Sequence, residues 1–301
     1  MPLQQDPLLT LSFPPNWVTK TAFNRPRGSR WEMIQRLQDL DFVDDICMLS
    51  HRLQDANNQM ERLNTTAQIV GLKIHPGKTK VLRINAIQQG EVRLDQSYIE
   101  EVEEFTYHGS VMNKTGGTDE DIAARRKKAQ QAFAMLTPVW RSKDLRTATK
   151  IRIFNTNVKA VLLYGSETWR VTTASTKQVQ TFINKCLRRI LRVYWPEVIF
   201  NKDLWVRTGQ EPIVTTIKRR RWKWIGHTLR EGERNIARHA MDWNPQGTRK
   251  RGRPRIKWRR SIQKDLKEIN MTWCEAKRAA QDRQKWKAIV DALCLAWDKE
   301  D

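Results

Sequence analysis

Asp44 and Asp45 stand side by side between two apolar runs, in Leu40-Asp41-Phe42-Val43-Asp44-Asp45-Ile46-Cys47-Met48-Leu49-Ser50-His51. Carboxylates fixed on rigid strands are what two-metal nucleotidyl transfer needs, because they must hold two Mg²⁺ ions about 4 Å apart. Magnesium takes few carboxylates and completes its shell with water and substrate phosphate. Taken alone, an Asp-Asp pair between strands is more often a solvated turn. The second set of chemically suggestive residues is cationic. It comprises the run Lys218-Arg219-Arg220-Arg221-Trp222-Lys223 and the segment Arg249-Lys250-Arg251-Gly252-Arg253-Pro254-Arg255. Arginine and lysine at this density suit phosphate contacts, and arginine beside tryptophan can also stack on bases.

The elements that must position these residues follow from hydrophobic periodicity. Residues 1–34 are poorly patterned. Residues 37–42 and 46–49 read as a β-hairpin closed by Val43-Asp44-Asp45. Leu53, Ala56, Met60, Leu63, Ala67 and Val70 lay one apolar stripe along a helix, with Gly71 placed to cap it. Strands are expected at 72–74 and 79–84 around His75-Pro76-Gly77, and again near 92–94 and 105–112. Past Gly116-Gly117 the pattern is wholly helical. Thr118 with Asp121 suggests an N-terminal cap, and one helix is expected to stop at Pro138. Further helices are marked by Ile151 to Val161, Val179 to Val193, Ile213 to Thr228, Trp258 to Ile269 and Ala276 to Trp297. Residues 244–255 form a loop rich in Gly, Pro and Arg. The expectation is an α+β region over 35–116 followed by helices over 117–196 and 197–301.

Charge divides the chain at the same place. The formal net charge is +22, yet residues 1–116 carry −1 and residues 117–301 carry +23. A field of that sign over the back half favours a polyanionic partner, RNA or DNA, over a merely solvated surface. Eleven of the 13 tryptophans also lie after residue 117. Their helical spacing, as at Trp224, Trp258 and Trp286, assigns most of them to helix interfaces. Cys47, Cys186, Cys274 and Cys294 are too far apart for a zinc ribbon or a redox dithiol. The chain shows neither a signal peptide nor an apolar run long enough to span a bilayer. These features predict a protein that is not secreted, does not engage a membrane and resides in the nucleus or cytoplasm.

The residues around Asp44 and Asp45 resemble the palm hairpin of reverse transcriptases from LINE-type (non-long-terminal-repeat) retrotransposons. Four more segments match that family in order. They are Gly71-Leu72-Lys73-Ile74-His75-Pro76-Gly77-Lys78-Thr79-Lys80, Phe105-Thr106-Tyr107-His108-Gly109-Ser110, the stretch from Arg152 to Trp169, and Arg220-Arg221-Trp222-Lys223-Trp224-Ile225-Gly226-His227. The resemblance covers nearly all of 35–297. It implies a partial palm followed by a helical thumb and tail, with Asp44 as the main metal ligand and Asp45 as its weaker neighbour. By the same resemblance Lys78 lies near the incoming nucleotide's phosphates, and Phe105, Tyr107 and Gly109 belong to the grip on the primer end. Mg²⁺ is implied only where the active site is complete.

The sequence departs from that family at its front. The family also needs an aspartate from an earlier palm strand, together with fingers, and only about 40 residues precede Asp44 here. Pro7-Leu8-Leu9 resembles the last trace of the palm helix that precedes the hairpin, with Trp17-Val18 as its continuation. Pro14 and Pro15 would then fall inside that helix, at about 3 kcal/mol or more each. Three readings remain for this chain. It is the palm and thumb of an RNA-directed DNA polymerase completed by a longer reverse-transcriptase chain, a non-catalytic RNA- or DNA-binding module, or an expressed relic. The missing aspartate predicts no polymerase activity for the chain alone. Arg251-Gly252-Arg253-Pro254 additionally resembles the core of an AT-hook, whose arginines enter the narrow minor groove of A·T-rich DNA. An import signal and a solvated linker are the other readings of that segment. Replacing Arg251 and Arg253 with alanine is expected to weaken duplex DNA binding and flatten its salt dependence. Unchanged affinity and slope in a titration of the double variant would reject the DNA reading.

Overall fold

A computed structural model describes residues 7–12, 29–31, 35–37, 39–42, 45–50, 52–84, 90–114, 117–232, 235–242 and 258–295, with side chains from residue 46 onward. The chain forms two compact units. One comprises residues 1–117 with 242–252, and the other comprises 118–241 with 253–301.

The first unit is built on a five-stranded sheet. Strand β1 (Pro7–Ser12) lies at its centre. Strands β2 (Ser29–Trp31) and β3 (Gln35–Leu37) make a separate hairpin, while β4 (Asp39–Phe42) pairs with β5 (Asp45–Leu49). The segment expected as one strand over 37–42 is thus divided between two hairpins. β1 runs antiparallel to β5 on one side and to β6 (Lys80–Arg83) on the other. The expectation of a helical remnant at Pro7-Leu8-Leu9 is corrected, because these residues form a strand. Their backbone groups are taken up by two flanking strands, so tertiary pairing decides a stretch whose pattern is ambiguous.

Helix α1 (Leu53–Ile69) buries Ala56, Met60, Leu63 and Ala67 against Ile46, Met48 and Val81. Ile46 and Met48 face this core while Cys47, between them, is buried outside it, as the two-residue period of a strand requires. The helix ends in a Schellman motif. Gly71 adopts φ +75°, its N–H donates to the Gln68 carbonyl, and the Leu72 N–H donates to Ala67. The strand expected at 72–74 is not formed. Residues 75–79 make a turn instead, in which Lys78 and Thr79 N–H both donate to the His75 carbonyl. Short strands β7 (Arg93–Leu94), β8 (Ser97–Tyr98) and β9 (Glu100–Val102) follow, and β9 pairs parallel with β6. Strands β10 (Glu104–Tyr107) and β11 (Ser110–Asn113) form a hairpin of their own.

The second unit is helical. Helix α2 (Asp119–Met135) starts at Thr118, but the expected cap is not made. The Thr118 hydroxyl instead exchanges hydrogen bonds with the Arg170 backbone, and Asp121 accepts from Trp169 Nε1 at 2.8 Å. Helix α2 stops at Met135, just before Pro138, as expected, and Pro138 belongs to the next helix. It sits in the first turn of α3 (Thr137–Arg141), where its missing N–H is no loss. Helix α4 (Thr147–Ile153) continues through a π-helical stretch (Phe154–Lys159) into α5 (Ala160–Leu162), and a 3₁₀ turn covers Ser166–Thr168. Helix α6 (Thr173–Leu191) opens with a capping box between Thr172 and Ser175. Two helices that periodicity did not mark are present, α7 (Asn201–Thr208) and α9 (Ile236–Asp242). They flank α8 (Ile213–Arg230). Beyond residue 257 lie α10 (Trp258–Glu268), α11 (Trp273–Ala279) and α12 (Arg283–Leu295), so the helix expected from Ala276 onward is broken in two.

Helix α8 joins the unit's two cores. Ile213 and Ile217 enter a core with Phe133, Trp140, Phe154 and Leu187, while Trp222, Ile225 and Leu229 enter another with Ile262, Leu266, Trp286 and Leu293. α8 and α12 approach closely at Gly226. A Cβ there would fall 1.9 Å from Trp286 Nε1, whose N–H donates to the Trp222 carbonyl at 2.9 Å. Gly226→Ala must therefore displace the Trp286 ring. A thermal melt is expected to show a loss of at least about 2 kcal/mol, in the range of an overpacked core.

Candidate functional site

Asp45, Lys78 and the hairpin of Phe105, Tyr107 and Gly109 belong to the first unit, and the run 218–223 belongs to the second. Asp44 lies outside the described residues, as do Arg249, Lys250, Arg251, Arg253 and Arg255. Asp45 opens β5, its backbone paired with Phe42 on one side and Ser12 on the other. The hairpin loop is therefore one residue shorter than expected, with Asp45 in the strand. The β1–β6 ladder ends at Thr10 opposite Lys80. Continuing that register puts Lys78, in the adjoining turn, at the same end of the sheet as Asp45, with β1 between them. Two strand spacings separate such positions by roughly 10 Å. Lys78 is exposed there.

Phe105 and Tyr107 share one half-buried face of the β10–β11 hairpin, with Thr106 exposed between them. His108 and Gly109 close that hairpin with φ of +49° and +74°. Positive φ at both central residues is the twist-matched geometry of a two-residue turn, and glycine takes the second position without strain. This hairpin belongs to a separate two-stranded sheet, so its residues are not brought into the sheet that carries Asp45 and Lys78.

The donor set next to Asp45 can be read from the pairing. Of the two strands beside it, β4 carries Asp39 and Asp41, which stand opposite Met48 and Ile46, and β1, Pro-Leu-Leu-Thr-Leu-Ser, contains no carboxylate and sets Ser12 opposite Asp45. Among the described residues, no group of three or more His, Cys, Asp or Glu side chains could hold a metal ion.

On α8 the basic run is divided between buried, partly exposed and exposed positions. Arg221 is 4% exposed. It donates to the Trp169 carbonyl at 2.8 Å and to Ser261 Oγ at 3.2 Å. Lys218, equally buried, reaches Glu268 at 2.6 Å and Asp265 at 3.7 Å. Asp265 in turn accepts from Trp222 Nε1 at 2.9 Å. Burial pushes the Asp265 carboxyl above the usual range, against the lowering pull of Lys218, the Trp222 hydrogen bond and Arg221. Arg219 is half-buried and pairs with Glu211 at 2.9 Å, and Arg220 pairs with Glu167 at 2.8 Å. Lys223 alone in the run is exposed. The reason is geometric: successive helical residues point about 100° apart, so a run of six cannot all face solvent on a helix packed on several sides.

The cations left in solvent lie elsewhere on this unit. On α10, Arg260, Lys264 and Lys267 recur on the face opposite buried Ile262 and Leu266. Lys127 and Lys128 on α2, Arg189 and Arg192 at the end of α6, and Lys202 and Arg207 on α7 are also exposed. The segment from 194 to 200 places several large side chains in solvent. The only trace of it in the sequence is a cluster of bulky residues without a helical period.

Comparisons with known proteins agree with an origin among mobile elements without defining a family. Residues 132–164 match a domain family described only as a domain of unknown function (DUF6451). That match covers α3, α4 and the π-helical stretch, where Phe133 stacks on Trp140 at 5.0 Å and meets Phe154 edge-on at 6.3 Å. The chain is also similar to an uncharacterized transposon-derived protein of Caenorhabditis elegans, with 26% identity over 273 residues, or 85% of this chain and 96% of that protein. The similarity thus extends across both units. No described helix is long and apolar enough to cross a membrane.

The arrangement on α8 predicts different outcomes for a buried partner of the run and for its exposed member. Asp265→Ala removes the acceptor of Trp222 and one of two carboxylates near Lys218, and is expected to cost about 3 kcal/mol in chemical denaturation. Lys223→Ala is expected to stay within about 0.5 kcal/mol of the parent.

Proposed function

We propose that this chain is a transposon-derived nucleic-acid-binding protein, descended from the palm and thumb region of a LINE-type reverse transcriptase and without polymerase activity of its own. The observation that carries the binding part is the charge: +23 over residues 117–301, most of it on a unit whose exposed cations greatly outnumber its buried ion pairs. A polyanion is the partner such a field attracts, through release of counterions from its phosphates. The transposon origin is supported by the worm relative. The finer ancestry is supported by the five ordered motifs and by a hairpin whose two strands meet at Asp45.

The absence of activity in this reading is supported by the strand beside that hairpin. The family's third aspartate would have to come from an earlier palm strand, and β1, which fills the position beside β5, contributes Ser12 opposite Asp45. Mg²⁺ is therefore expected only where a longer reverse-transcriptase chain completes the centre. A second reading, a polymerase active in such an assembly, is favoured by one observation, that Asp44 and Asp45 are both retained.

Primer extension on an RNA template with Mg²⁺, run on the purified chain beside Asp44→Asn, separates the two. Salt-sensitive binding to the primer–template without synthesis is the expected result. Synthesis that disappears in Asp44→Asn would replace this reading with the polymerase.

A further inference from the structure

The segment between α6 and α7 presents a surface that neither the ion-paired face of α8 nor the carboxylate hairpin explains. Trp195 is 87% exposed, Phe200 76% and Tyr194 60%, and Val198 beside them is also in solvent. Three large exposed rings within seven residues are an unusual concentration of apolar surface for solvent, and exposed apolar surface of this size marks interaction sites. The rings are mounted on a fixed frame. Val193 and Ile199 are buried in the core. Arg188 donates to the Ile199 carbonyl at 3.1 Å and to Asn201 Oδ1 at 2.8 Å. Asn184 donates to the same Asn201 oxygen and accepts from Trp205 Nε1 at 2.9 Å. A surface held in this way pays little ordering entropy on binding.

The surrounding charges select the occupant. Arg189 and Arg192 precede the rings and Lys202 and Arg207 follow them, all exposed, against Glu197 and Asp203. A second copy of this chain would bring another +22 to the contact, and like charge opposes such a pairing. An unpaired nucleic-acid strand meets both features at once, since its bases stack on the rings and its phosphates lie against the cations. A duplex keeps its base faces inside its own stack.

We infer that residues 194–200, through Tyr194, Trp195 and Phe200, form a stacking platform for an unpaired segment of RNA or DNA. The inference rests on the nucleic-acid reading of the helical unit and adds where the strand lies and that it is single. The test compares the full chain with the triple variant Tyr194→Ala/Trp195→Ala/Phe200→Ala, using oligouridine, oligothymidine and a DNA duplex of the same length. The triple variant is expected to lose about tenfold or more in affinity for both single strands, with duplex affinity and thermal midpoint unchanged. A triple variant with Phe at Tyr194 and Trp195 and Tyr at Phe200, which keeps every ring, is expected to bind single strands almost as the parent does. Equal losses on single strands and duplex, or no loss, would overturn the platform while leaving nucleic-acid binding intact. A parent that binds none of the three probes would instead remove the nucleic-acid reading itself. A parent dimer in sedimentation that the alanine variant disperses, with oligonucleotide affinity unchanged, would assign the patch to self-association and overturn the inference.

Discussion

The helical unit depends on how helix α8 disposes of its own charge. Lys218, Arg221 and Trp222 all point inward and are held by two other parts of the chain: Glu268, Asp265 and Ser261 on α10, and the Trp169 carbonyl after the 3₁₀ turn. Buried charges are tolerable only when paired and hydrogen-bonded, so these contacts fix the rotation of α8 about its axis. That rotation puts Ile213 and Ile217 into one core and Trp222, Ile225 and Leu229 into the other. It also brings Gly226 under the Trp286 ring, which in turn donates to the Trp222 carbonyl. A buried ionic network of this kind adds little net stability compared with an apolar substitute, and its main effect is on which arrangement forms.

The same disposition determines which charges can act on a partner. Cations committed to Glu167, Glu211, Asp265 and Glu268 are neutralised locally, so among the described residues the outward field comes from exposed cations elsewhere on the unit, those of α2, α10 and the end of α6 through α7 included. In the first unit the limiting constraint is the sheet. β1 holds the place between β5 and β6, and its sequence leaves Ser12 opposite Asp45. Strand pairing of this kind draws on backbone groups that any residue except proline supplies in full. The two units are thus under different constraints, backbone pairing in one and side-chain satisfaction in the other.

Where burial follows a regular period, the elements could be read from residue types. The stripe from Leu53 to Ala67 is the buried face of α1, Gly71 does cap it, and Ile213, Ile217 and Thr228 lie on buried positions of α8. Elements fixed by distant partners could not be read in this way. Pro7–Ser12 is a strand only because β5 and β6 flank it, and Asp121 abandons the expected cap because Trp169, 48 positions later, needs an acceptor. Composition alone does not separate Arg221, buried against a carbonyl, from Arg219 and Arg220, which stay partly exposed in ion pairs, since sequence records that a residue is charged but not which partner the fold brings to it. Of the proposed polymerase residues, the register brings Asp45 and Lys78 to one end of a sheet, while Phe105, Tyr107 and Gly109 lie on another hairpin.

The central claim is that the back half of this chain exists to hold a polyanion. Its most direct test is the affinity of the 301-residue protein for a primer–template duplex and for a single strand, measured across a series of salt concentrations. A steep linear fall of log K with log salt, with a slope equivalent to several phosphates neutralised, is the result this account predicts. Negligible binding at low salt, or an affinity indifferent to salt, would contradict it.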